Sequence, residues 1–288
     1  MAMPAQPPTR DDRVLRSTKV VAAFIMPFLI VAFVVLYPWP SDVSRLFAWA
    51  IKPSISPMIL GSVYIGGAYF FFRVLRAAQW HTVAGGFLPV GTFASLMGIT
   101  TIVHWNRFIH DRLAFWLWAG LYFTTPLVVF AVFVHNQKHY KTDADGEVLM
   151  PRLAALIIGV GGACAVLMSA FLYLFPQHAI DIWPWKLTPL TARMLSAIFA
   201  LGLAGLGGFR ERRWSAARIL LQVAGIMLAL ILIAGIRAHT EFDSSRPLTW
   251  LFAIGFGATV IAGVALYLRM ESRARLQSAT SVPLDTVA

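Results

Sequence analysis

Residues 108–119, FIHDRLAFWLWA, lie over residues 242–253, FDSSRPLTWLFA, at a constant offset of 134. Five of the twelve positions are identical: Phe108 with Phe242, Arg112 with Arg246, Trp116 with Trp250, Leu117 with Leu251 and Ala119 with Ala253. About one match is expected by chance in so biased a composition, so the pairing reads as an internal repeat. Further out, at an offset of 136, Trp49, Pro53, Met58 and Arg76 fall on Trp185, Pro189, Met194 and Arg212. A two-residue deletion then sets Trp80 on Trp214, and upstream Leu36-Tyr37-Pro38 resembles Leu174-Phe175-Pro176. The chain therefore reads as a tandem duplication, with one copy over residues 18–136 and the other over 150–270.

Each copy holds four runs of apolar residues, most of them long enough to cross roughly 30 Å of hydrocarbon. They extend over 20–37, 58–72, 83–103, 113–134, 153–174, 190–209, 216–236 and 248–268. The second run is short and ends in Arg73, whose long side chain is expected to snorkel to an interface. Composition agrees: of 288 residues 58% are apolar and 13% charged, against about 25% charged in soluble domains, and the mean hydropathy is +0.70. The expected fold class is an all-α integral membrane protein of eight transmembrane helices, arranged as two parallel four-helix repeats. Four spans is an even number, so both copies enter the membrane in one direction, about a pseudo-two-fold axis along the membrane normal. Residues 1–17 read as a Pro-rich, charged tail without a cleavable leader, 137–149 as a polar linker with an Asp-Gly turn signal, and 271–288 as a C-terminal tail.

Basic residues set the expected orientation. With the N-terminus inside, sixteen of the 24 Lys and Arg fall on the cytoplasmic side and eight on the other. Both termini are then cytoplasmic, the chain is multi-pass in the cell (inner) membrane, and the formal charge of +11 meets the anionic bilayer surface with no need of nucleic acid. Eight of the ten tryptophans gather at the extracytoplasmic ends of spans. Cys164, alone of its kind, excludes an intramolecular disulfide and reads as a small packing residue. Ala155, Gly159 and Ala163, and also Ala258 with Ala262, form small-residue stripes for helix packing. Pro27, Pro89 and Pro126 are expected to kink their spans.

No Asp, Glu, Lys, Arg or His stands in the middle of any run, which argues against an ion-driven carrier, because such carriers need a titratable group at membrane depth. GxSxG, HExxH, GxGxxG and P-loop patterns are all missing from the sequence. Polar chemistry concentrates instead at the extracytoplasmic ends. Arg112 and Arg246 each precede a matched tryptophan by one helical turn, so Arg112 with Trp116 and Arg246 with Trp250 are candidate ligand-binding pairs, joined by Trp49 and Trp185. The leading expectation is a protein that binds or translocates a small molecule or lipid at an extracytoplasmic-facing site between the repeats. An alternative is an enzyme or redox protein, its metal or haem held by His104, His110, His239, Glu241 and Asp243. A third is a structural subunit that presents its helices to a membrane protein partner.

One local stretch, Trp49-Ala50-Ile51-Lys52-Pro53-Ser54-Ile55-Ser56-Pro57, resembles the Lys-Pro-x-x-x-Pro segment ahead of the second helix of the Trp-rich sensory proteins. The resemblance covers nine residues, that family has five spans, and its ligand site has no counterpart here.

Overall fold

The structure, a computed structural model, describes residues 11–142 and 146–280. Eight helices in it are long and apolar enough to cross a membrane: α1 (Arg16–Leu36), α2 (Ile55–Arg76), α3 (His81–Val103), α4 (Leu113–Gln137), α5 (Arg152–Leu174), α6 (Pro189–Gly207), α7 (Trp214–Arg237) and α8 (Pro247–Thr280). At 1.5 Å rise per residue, even the shorter ones approach the thickness of a hydrocarbon layer. The expected tails lie partly outside the described residues, and α8 carries its helix through most of the C-terminal one. Of the Asp-Gly signal in the linker, Gly146 is described, at φ +76°, the left-handed region glycine enters without steric cost.

Local chemistry fixes several helix ends. Thr188 accepts the Thr191 N–H at 3.2 Å, and Pro189 presets the first turn of α6. The start of α1 has no side-chain cap of its own. Asn136, fully buried at the end of α4, accepts the Leu15 N–H at 3.0 Å and the Thr18 hydroxyl at 2.8 Å. The start of α2 is capped from far along the chain, where the Glu241 carboxylate accepts the Ser54 and Ile55 N–H groups at 2.9 and 2.8 Å.

Consecutive helices pair: α1 with α2, α3 with α4, α5 with α6 and α7 with α8. Across the halves, α2 packs on α7 and α3 on α6. The near end of the bundle holds residues 11–15, 77–80, 138–142, 146–151 and 208–213, and the far end holds the remaining described connections. Two buried clusters follow this division, the far one around Trp49 and Trp185 and the near one around Trp80, Phe70 and Phe71. Outward faces stay apolar, as at Val20, Leu127, Leu153 and Ile261, the inverse of a water-facing surface.

At α5 and α6 the backbones nearly touch. A Cβ on Gly162 would stand 2.5 Å from the Gly202 carbonyl oxygen and 3.0 Å from Gly205 Cα. The small-residue stripe expected on α5 thus packs, with Ala155 buried and Gly159 under the Phe209 ring, but the closest approach falls at Gly162. Cys164, expected to be a packing residue, is exposed.

The two halves differ in how far they close. α1 reaches α4 in the first half, whereas in the second α8 packs chiefly on α7. In α3 56% of the most apolar window is buried, and in α7 17%; for α4 and α8 the shares are 28% and 0%. The second half therefore holds an open groove where the first is nearly filled.

Candidate functional site

The groove is a cavity of about 2170 Å³ walled by α5, α6, α7 and α8, with α2, α3 and α4 contributing from the first half. Ordinary small-molecule pockets occupy roughly 300–1,000 Å³. It runs between the two ends of the bundle, from Trp183, Trp185 and Leu251 at the far end to Arg210, Arg269 and Arg273 at the near end. Ala258 and Ala262, expected to pack against a helix, face this space instead. Gly161, Gly225 and Gly263 also line it, and a Cβ at any of them would meet nothing within 4 Å. A cavity lined mainly by α1 to α4, with α6 and α7 contributing, measures about 310 Å³.

Beside the groove lies a polar cluster of six residues that a search for charges at mid-span passes over, of which Tyr69, Gln222 and Tyr267 line the cavity. Tyr69 and Arg73 on α2, Arg218 and Gln222 on α7, and Tyr267 and Glu271 on α8 are three pairs, each one turn apart. The Tyr69 hydroxyl donates to Gln222 Oε1 at 2.8 Å, Arg73 donates to both, and Gln222 Nε2 donates to the Tyr267 hydroxyl at 2.8 Å. Arg218 pairs with Glu271 at 3.0 Å. Arg73, expected to snorkel to the interface, thus turns inward and ties α2 to α7.

At the far end the predicted residues serve two matched sets of contacts. Arg112 Nη1 donates to the carbonyls of Ser44, at 2.6 Å, and Phe47. Arg246 Nη1 donates to those of Ile180, at 3.1 Å, and Trp183. Trp116 Nε1 donates to the His110 carbonyl at 2.9 Å and Trp250 Nε1 to that of Ser244 at 3.1 Å, and both rings are exposed. Trp49 packs against Phe47, Phe108 and Trp118 with centroids 5.0, 5.0 and 4.7 Å away. Trp185 packs against Trp183, Phe242 and Phe252 at 5.4, 5.3 and 5.6 Å. Each pair of contacts is related by the offsets of 134 to 136 found in the sequence. Of the six predicted ligand-binding residues, Trp185 lines the groove, while both arginines spend Nη1 on loop carbonyls.

The five residues expected as metal or haem ligands do not converge; among the described residues no three His, Cys, Asp or Glu side chains form a metal cluster. Glu241 caps α2, and Asp243 binds Ser245 and Arg246, which hold its carboxyl below the usual range. His239 meets the Ile236 carbonyl, and the His110 ring lies 4.5 Å from that of Phe115. His104 Nε2 accepts from Arg193 Nη1 at 2.8 Å. Burial, then the charges of Arg193 and Arg107, push the His104 pKa below its ordinary 6.5. The folded state thus favours neutral imidazole, and this contribution to stability is complete above about pH 6.5 and falls as pH drops through the folded-state value. Thermal melts in detergent are expected to lose part of their midpoint between pH 8 and 5.5. His104→Gln, which keeps an acceptor but cannot titrate there, should flatten that loss, and an unchanged slope would refute the assignment.

The near end carries a buried chain of contacts in the stretch expected to be tail and linker. Asp12, 5% exposed and at φ 52°, holds His81 Nδ1; His81 Nε2 faces the Ser215 hydroxyl at 3.0 Å, and that hydroxyl donates to Glu147 at 3.0 Å. Asp12 tolerates the left-handed backbone as a short polar residue does. Beside it Glu211, despite burial, is held below its usual pKa by hydrogen bonds from Arg213 and Tyr140, and burial and that carboxylate push Tyr140 up to about 12.

Compared with known proteins, the chain matches no family model, no curated protein and no solved structure.

Proposed function

We propose that the chain is a multi-pass inner-membrane protein, both termini cytoplasmic, that binds and translocates a lipid or similarly apolar small molecule through the groove of its second half. The observation that carries this reading is an apolar cavity of about 2170 Å³ extending from the far to the near end of α5 to α8. A volume roughly twice the upper end of small-molecule pockets suits a chain-bearing molecule. A face of α8 without protein cover at hydrocarbon depth is filled by lipid in a bilayer, since apolar surface there meets no water.

The two halves are copies of one four-helix unit, a reading supported by the paired arginine, tryptophan and aromatic contacts at matching offsets. Near-end backbone pairing repeats in the same way: Val14 N–H donates to the Ala78 carbonyl at 3.1 Å and Met150 N–H to that of Arg212 at 2.8 Å. In this reading the first copy is the closed, structural unit and the second the binding unit. Arg246 and Trp250 brace the loops around the extracytoplasmic mouth, and Trp185 forms its inner wall.

Filling the groove tests this reading. Gly161→Trp and Gly225→Trp each attach a large ring through a Cβ that meets nothing within 4 Å, on residues that line the groove, so the fold should hold while bound lipid is displaced. Native mass spectrometry after gentle extraction should show lipid retained on the unaltered chain and reduced by at least about tenfold on the double variant. A fluorescent lipid should likewise cross proteoliposome leaflets faster with the unaltered protein only. Equal retention and equal crossing would remove the groove as the site.

A further inference from the structure

The near end of the groove has a charge pattern that its volume alone does not require. Arg210, in the connection between α6 and α7, and Arg269 and Arg273, one turn apart on α8, all line the same cavity. Among the described residues none of these three guanidiniums has a salt bridge or hydrogen-bond partner. Several guanidiniums elsewhere are engaged, as Arg73 with Gln222, Arg193 with His104 and Arg218 with Glu271; other arginines without such partners, Arg16, Arg76, Arg107, Arg152 and Arg275 among the described residues, do not line the cavity. The carboxylate that shares the lining, Glu211, is already neutralised by Arg213. Three cations thus face one mouth without a counter-charge.

The first half supplies an internal control. At the repeat offsets, the positions of Arg269 and Arg273 are taken by His135 and His139, and that of Arg210 by Val74. The smaller cavity there has no charged residue in its lining. Arginines at these positions accompany the enlarged cavity and are not a general property of that end of the bundle.

Resting on the groove reading above, we propose that the ligand is an anionic phospholipid, its acyl chains in the groove and its head-group phosphate held by Arg210, Arg269 and Arg273. A guanidinium presents forked donors that match two phosphate oxygens, and three of them favour a head with net negative charge over a zwitterionic one, which brings its own cation. The apolar walls from Ala258 to Trp185 accept the chains without polar partners. Anionic lipid also concentrates on the leaflet that basic loops face.

The test uses the full chain in nanodiscs of equal phosphatidylglycerol and phosphatidylcholine with matched acyl chains, extracted gently and weighed by native mass spectrometry. Retained lipid should favour phosphatidylglycerol on the order of ten-fold, as several basic groups facing one acidic head add their attractions. The triple variant Arg210→Gln, Arg269→Gln, Arg273→Gln keeps every other basic residue and should retain as many lipids with that preference near one. A preference unchanged in the triple variant, or absent from the unaltered chain, overturns the proposal. Displacement of the lipid by excess inorganic phosphate would assign the arginines to a free anion, and a lipid-free dimer would assign the groove to a second copy; either overturns it. Failure of the groove reading is distinct, because then Gly161→Trp and Gly225→Trp leave total retained lipid unchanged whatever its head group.

Discussion

Gly162→Leu is expected to cost about 3 kcal/mol of stability, because the new side chain must push apart a pair of helices that meet backbone to backbone. Its Cβ alone would stand 2.5 Å from the Gly202 carbonyl oxygen, and the reverse approach is as tight, with a Cβ on Gly205 2.7 Å from the Ile158 carbonyl oxygen. Backbone cannot yield as a flexible side chain does, so relief comes only from moving α6. The adjacent Gly161→Leu is the control, since a Cβ there meets nothing within 4 Å and the change should stay within about 0.5 kcal/mol. Unfolding in mixed detergent micelles, followed by tryptophan fluorescence, reads both. Equal effects from the two substitutions would show that α5 and α6 do not approach at Gly162.

Trp185→Ala is expected to cost about 4 kcal/mol and Trp49→Ala a similar amount, each emptying a buried aromatic cluster. Replacement by phenylalanine should separate the two copies. Trp185 Nε1 donates to the Ser56 hydroxyl at 3.1 Å, so Trp185→Phe leaves a buried hydroxyl short of a donor. Trp49 Nε1 is buried with no hydrogen-bond partner, so Trp49→Phe removes an unsatisfied donor. Trp185→Phe should therefore be the more destabilising by about 1 kcal/mol. If Trp49→Phe proved the worse, the pairing of Trp185 with Ser56 would be refuted.

The eight helices were legible because runs of about 15 to 22 largely apolar residues have few other uses. Their ends were less so. α2 begins at Ile55 because Glu241, far away in sequence, caps it, and α8 continues to Thr280 because Arg269 to Ala279 suit a helix as well as a tail. Matching Arg112 with Arg246 and Trp49 with Trp185 found residues that make corresponding contacts, but spacing could not say where their donors would go. The groove was hidden for a different reason: Ala258 and Ala262 look the same in sequence whether they touch a neighbour or line a space. The polar cluster on α2, α7 and α8 had a signal, three polar pairs at four-residue spacing, that a count of isolated charges does not register. Asp12 and Glu147 lie in segments whose polarity read as solvent exposure, and their partner His81 gave no hint of theirs.

The pairing of α2 with α7 and α3 with α6 has a consequence for biosynthesis. When the first four helices have left the ribosome, the inner faces of α2 and α3 still lack their partners. With the helices inserted as proposed above, those faces must be screened by lipid or by the insertion machinery until α6 and α7 follow. Severing the chain in the linker should therefore yield two fragments that are each inserted yet short-lived alone, and that persist when made together.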